Sequence, residues 1–404
     1  MSKIAFVGLV LALLVTACGG TQEPTKGDLT VFVTVPLSGF QANGGQTVVG
    51  GARLAAEHIN RTGGVNGYKL VIEALDDESD SDVAVSLAEQ IAQRVQAGAR
   101  TLGVVGNLNS GQTIAAMEIY RDLAINIVTP TASNPSLTLS GYRNFFRVNA
   151  SDDVQARVDA EFLVSTLQAG RVAILHNDDA YGIDLASLMA AELQKLGVTV
   201  VYQQQIAIGP PEPSPTALPG RPLYYPGIVE AAVAQAPDAI FYAGYEVECP
   251  YLRYDLAQIG AQEIPFLASD GCFLSAAIES GETLHAAEFA AATESMFVSG
   301  FSPEPRATVD SAWIRDYQQV DFRNPDTYSI NGYLAVRVLA EAAREAKSLE
   351  QSIVADALRA GTFDTIIGPL RYQDNGDLAN PTIYIFQVTG GRFVQVFPTG
   401  GGSK

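Results

Sequence analysis

From Leu29 to Phe397 this 404-residue chain switches its hydrophobic pattern regularly between two spacings, and few folds accommodate that. Leu29 to Val35, Lys69 to Leu75 and Leu102 to Val105 are short apolar runs of buried-strand type, while Gln46 to Arg61 and Asp82 to Ala97 repeat apolar residues at helical spacing. Val48, Ala52, Ala55 and Ile59 share one helix face; Val83, Leu87, Ile91 and Val95 share another. A helix opened by Ser151 and strands at Arg171 to Leu175, Val198 to Tyr202 and Ala239 to Tyr242 continue the series. Strand and helix in strict turn imply parallel sheets covered on both faces. The elements are too many for one such sheet, so the expected fold class is α/β, with two doubly wound parallel-sheet lobes facing each other. Ligands of these sheets sit at the carboxyl ends of the strands, which two lobes would place across a cleft.

The segment from Leu102 to Pro135 supplies chemistry for such a cleft. The chain leaves a strand, breaks at Gly106 and Ser110-Gly111, and enters a helical pattern, so Ser110 is expected at the N-cap. A helix start offers free N–H groups and about half a positive charge, enough to attract a small anion. A second strand, Ile125 to Val128, delivers Thr129, Thr131 and Ser133 to the same end of the sheet. Farther on, Asp178-Asp179-Ala180-Tyr181-Gly182, Gly244-Tyr245-Glu246 and Ser269-Asp270-Gly271 each follow a strand. Together they give the other lobe a carboxylate and two aromatics. Carboxylate at Ser110, ammonium at Asp270 and side chain against tyrosines describe a small zwitterion such as an amino acid.

Other chemistries find less support. A formal charge of -19 opposes binding to a nucleic acid backbone. His58, His176 and His285 show no metal-ligand spacing, and the acids from Asp76 to Asp82 lack the Gly and Glu of a calcium loop, so neither a metal nor a cofactor is assigned. No Gly-x-Ser-x-Gly or phosphate-loop motif occurs, and no enzyme activity is expected. Cys249 and Cys272 form an even pair, either a disulfide or two buried thiols. Seven prolines between Gly209 and Pro226 mark a surface excursion that cannot enter a sheet. At the N-terminus, Lys3 precedes an apolar run from Ile4 to Val15, and Val15-Thr16-Ala17-Cys18 resembles a bacterial lipobox. That resemblance implies a signal peptide over residues 1–17, lipidation at Cys18, a flexible tether over 18–28, and an extracytoplasmic protein anchored by lipid to the bacterial cell membrane.

Pro36-Leu37-Ser38-Gly39, Gly50-Gly51-Ala52-Arg53-Leu54-Ala55, the segment Gly106 to Thr138, Tyr181-Gly182 and Gly368-Pro369-Leu370 occur in order along the chain. In this set the chain resembles the branched-chain amino acid binding proteins of bacterial ABC importers. The resemblance implies a type I periplasmic-binding fold whose lobes close on the ligand, with an ABC permease and its ATPase as partners. It implies crossings near Ser151, Met296 and Gly368, with one lobe from 29–151 plus 297–367 and the other from 152–296 plus 368–397. It assigns Ser110 and Ser133 to the carboxylate, Ser133 and the Thr131 carbonyl to the ammonium, Tyr181, Tyr245 and Asp270 to the second lobe, and Asp152 to the cleft floor. Asp270 stands where the family usually has a Glu. Gly44 stands where some members have a Tyr, which should enlarge the side-chain pocket. A receptor of this kind feeding a signalling partner is the alternative function.

Overall fold

In the computed structural model, which describes residues 23–214, 222–279 and 286–398, the alternation becomes two sheets. The first runs through β1 (Asp28–Val35), α1 (Ala42–Asn60), β2 (Lys69–Asp76), α2 (Ser81–Gln96), β3 (Thr101–Gly106), α3 (Ser110–Tyr120), β4 (Ile127–Thr129), the single turn α4 (Ser136–Leu139) and β5 (Phe145–Arg147). Its five strands are parallel in the order β2-β1-β3-β4-β5. The second lobe follows with α5 (Asp152–Ser165), β6 (Arg171–Asn177), α6 (Ala180–Lys195), β7 (Thr199–Ile206), α7 (Pro226–Ala234), β8 (Ala239–Ala243), α8 (Cys249–Gln258) and β9 (Phe266–Ala268). A 3-10 turn at Asp270–Cys272 then leads to α9 (Ala276–Glu279), α10 (Ala286–Thr293) and β10 (Phe297–Gly300). The chain returns to the first lobe through α11 (Pro305–Thr308), α12 (Ser311–Asp321), α13 (Thr327–Ala346), α14 (Gln351–Ala360) and the hairpin of β11 (Thr362–Thr365) with β12 (Gly368–Arg371). It ends in the second sheet with β13 (Tyr384–Val388) and β14 (Phe393–Phe397), whose seven strands run β14-β13-β10-β9-β8-β6-β7.

Each lobe has its own core. The first packs α1 and α13 over β1 and β3, with Val31, Val33, Val48, Leu334 and Leu339 fully buried. Those two helices touch at Gly51 and Gly332: a Cβ on Gly51 would collide with the Ser329 carbonyl, and one on Gly332 with that of Val48. In the second lobe two apolar layers sandwich the sheet, one around Leu175, Tyr242, Phe266 and Phe386's ring and the other around Ile174, Leu185, Met189 and Phe241. Both faces of the central parallel strands β6, β8 and β9 are therefore dry, which explains why these strands are nearly continuous apolar runs.

Two of the expected crossings fall elsewhere. β10 pairs with β9 and β13 in the second sheet, so the chain leaves that lobe after Gly300 and not at Met296. Likewise Leu370, Tyr372 and Leu378 pack into the first lobe's core, and the final passage comes after Leu378 instead of at Gly368. No described helix is long and apolar enough to cross a membrane. Cys18 and the signal peptide expected before it lie outside the described residues.

Candidate functional site

Where the strand ends of the two sheets meet, the lobes border a cleft of about 260 Å³, part of it open to solvent. Ser110, Thr131, Ser133, Tyr181, Tyr245 and Asp270 all line it, brought together from five loops. On the first lobe's side, Asn109 rather than Ser110 occupies the N-cap of α3, with extended backbone angles (φ -89, ψ 151). Ser110 is the first helical residue. Its hydroxyl accepts the backbone N–H groups of Ser133 and Asn134, each at 3.3 Å, so the helix start and the loop after β4 form one polar wall. Thr131 donates its hydroxyl to the Leu108 carbonyl at 2.7 Å, and its own carbonyl accepts from Asn149 at 2.9 Å.

The second lobe answers with a carboxylate framed by aromatics. Asp270 is 3 % exposed, and the Tyr181 hydroxyl donates to its Oδ1 at 2.5 Å. Tyr181 stacks on Tyr245 with ring centroids 5.4 Å apart, and the Tyr245 hydroxyl donates to Asp179, the N-cap of α6, at 2.6 Å. Burial pushes Asp270 up to about 7, against the opposing hydrogen bond from Tyr181. No Lys, Arg or His is among the lining residues. Asp270 is thus an acid held at a burial cost with no cation of the protein among the lining residues.

Asp152 is fully buried at the start of α5, but it stands behind Ser133, whose carbonyl accepts its N–H at 2.9 Å, and outside the lining. Burial raises it to about 8, with the Ser133 hydroxyl opposing the shift. Gly44 does not open the pocket. Leu108, Gln41 and Tyr328 lie where its side chain would go, within 3.2 to 3.4 Å of a built Cβ. The acids near Asp76 are turn and cap groups: Asp76 accepts the Leu37 and Glu78 N–H groups, and Asp80 caps α2.

Gln41 and Tyr328 escaped the sequence reading, while Leu108, Asn109, Ala132 and Gly271 lie in segments it singled out without a role of their own. Tyr328 enters from the first turn of α13, and its hydroxyl donates to the Asp270 carbonyl at 3.0 Å. Gln41 donates across the cleft to Glu246, whose carboxyl burial lifts to about 8. Further cross-cleft bonds join Asn134 to Asp184 at 2.5 Å and the Ser275 hydroxyl to Asp326 at 2.6 Å. The lobes are thus in contact around the cavity.

Residues 29–392 match a family model described as periplasmic binding protein. A Leu/Ile/Val-binding protein of Rhizobium johnstonii is 30% identical over 378 residues, covering 91% of this chain and 93% of that protein. Among solved structures, a leucine-binding protein from Thermotoga maritima superposes with a TM-score of 0.76 at 21% identity, covering 91% of this chain and 97% of that one. A solute-binding protein of an ABC transporter from R. palustris, in complex with benzoate, also gives a TM-score of 0.76, at 18% identity over 92% of this chain and 96% of its own.

Proposed function

Since the chain belongs to the periplasmic binding protein family, in its branched-chain amino acid group, we propose that it captures an amino acid with an apolar side chain and delivers it to an ABC permease. The observation that carries this reading is the polarity of the cavity. Hydroxyls and a helix start on one lobe suit a carboxylate, and Asp270 on the other, 3 % exposed to water, suits an ammonium. The same fold holds benzoate in one neighbour, which has no ammonium, so the fold alone does not select the ligand. Asp270 does, because leaving it ionised and unpaired in a closed cleft is costly. Tyr181, Tyr245 and Tyr328 then offer the apolar surface against which an aliphatic side chain packs. Ser110 and Ser133 are the carboxylate-side residues in this proposal, the Thr131 carbonyl faces the ammonium, and Asp152 supports Ser133 from behind.

Calorimetry with leucine, with 4-methylpentanoate (the same skeleton without the amine) and with benzoate tests it. Leucine is expected to bind and the two simple acids to fail. Binding of the acids with leucine inert would refute the zwitterion site. The lipobox-like Val15-Thr16-Ala17-Cys18 supports a lipid-anchored, extracytoplasmic location, and the Cys18→Ser protein is expected in the soluble fraction instead of the membrane.

A further inference from the structure

The Cys249 and Cys272 pair and the ends of the proline-rich excursion converge behind the second-lobe wall of the cavity. Tyr245 and Asp270 belong to different loops, one after β8 and the other after β9. These loops are knitted together at three levels. Ser269 exchanges hydrogen bonds with the backbone N–H and carbonyl of Gly244, both at 3.2 Å. Gly271 is pressed so closely on the Gly244 carbonyl and the Tyr245 ring that any Cβ there would clash. Finally Cys272, two residues after Asp270, is bonded to Cys249, four after Tyr245, with Cα atoms 6.3 Å apart and neither sulfur-bearing residue exposed.

Glu248 adds the excursion to this knot. Its carboxylate accepts from the Tyr245 N–H and the Tyr242 hydroxyl at 2.9 Å each, and from the Gly209 N–H at 2.7 Å. The far end of the excursion is tied to the same helix, since Asp255 of α8 accepts the Tyr224 N–H at 2.9 Å. α8 is therefore held at both ends of the excursion and at the bridge, with the ligand loop at its start.

We infer that the Cys249–Cys272 bridge and Glu248 are positioning groups that hold Tyr245 and Asp270 in their ligand-ready places before a ligand arrives. A loop ordered in advance does not have to be ordered by the ligand, so affinity rises without any new ligand contact. The inference takes its probe, L-leucine, from the function proposed above.

The test pairs hydrogen exchange of the unliganded protein with leucine calorimetry, in the parent and in a variant carrying Cys249→Ala with Cys272→Ala. Amides of residues 244–249 and 269–273 are expected to exchange at least about tenfold faster in the variant while β1 and β3 are unaffected, because local opening, not global unfolding, is what the bridge suppresses. Leucine affinity is expected to fall by about tenfold in protein that remains folded. A bridge that merely stiffens the whole lobe would lower the melting temperature and leave both readouts unchanged, and that result overturns the inference. Should the double variant not fold, Glu248→Gln keeps the bridge and asks the same of residues 244–249; unaltered exchange there overturns the role of Glu248. If the parent takes up no leucine, the amino-acid reading falls, while the exchange data still decide the brace.

Discussion

In the proposed function, Asp270 is the residue on which the chemistry of the cavity turns. Its carboxyl sits at about 7 because burial disfavours the charge, and a ligand ammonium would restore what solvent no longer provides. Binding an ammonium therefore requires the ionised form, so the proton must leave when the ligand enters. Leucine affinity is expected to weaken as pH falls below about 7, by up to about tenfold per pH unit for one linked proton. Calorimetry from pH 5 to 8 would show this slope, and Asp270→Asn would abolish it together with about 2 to 5 kcal/mol of affinity. A flat profile in the parent would remove Asp270 from the ammonium site. The sequence revealed Asp270, Tyr181 and Tyr245 because each follows a strand end, the position this architecture reserves for ligands. Tyr328 escaped the same rule. It projects from the first turn of a helix preceded by no strand, and the Gly44 reading failed with it, since Tyr328, Gln41 and Leu108 are what fill that space.

Among the elements, α13 has two tasks that can be separated. Asp326 caps it in a capping box with Ser329, and the same carboxylate accepts the Ser275 hydroxyl and N–H from the opposite lobe, at 2.6 and 3.1 Å. Removing it with Asp326→Ala should cost about 1 kcal/mol of cap stability and should release the 275 loop as well. Ser275→Ala removes part of the cross-lobe contact but leaves the cap. The first variant is accordingly expected to lower the melting temperature and speed leucine dissociation, the second to speed dissociation alone; thermal unfolding and stopped-flow release would separate the two. If Ser275→Ala releases leucine at the parent rate, this contact does not restrain the lobes. Element positions were legible in the sequence to within a few residues because buried strands and amphipathic helices carry their own periods. Sheet membership was not. β10 is four residues long, and nothing in Phe297–Gly300 says which of two sheets it joins, so the crossings expected at Met296 and Gly368 lay some residues early.

At the scale of the molecule, two acids of the second lobe, Glu246 and Asp270, meet Gln41 and Tyr328 of the first across the cleft, and opening it is expected to return these two carboxyls to water. Burial raises Glu246 to about 8 and Asp270 to about 7. Solvated carboxyls titrate near about 4. A group whose pKa is higher in the closed form favours that form fully below its solvated value, and the preference is lost as pH rises through the raised one. Without ligand, closure should therefore weaken from about pH 4 to about pH 8, as the open form gives up protons that these two carboxyls retain in the closed form. With leucine bound, its ammonium stabilises Asp270 as the anion and offsets part of that loss. Small-angle scattering is expected to give a radius of gyration that grows from about pH 4 to about pH 8 in the unliganded protein and changes less at saturating leucine. Glu246→Gln keeps a partner for Gln41 while deleting one of the titrating groups, so the unliganded variant should expand less over the same range. Equal expansion of parent and variant, with and without leucine, would mean that the cleft acids do not couple protonation to closure.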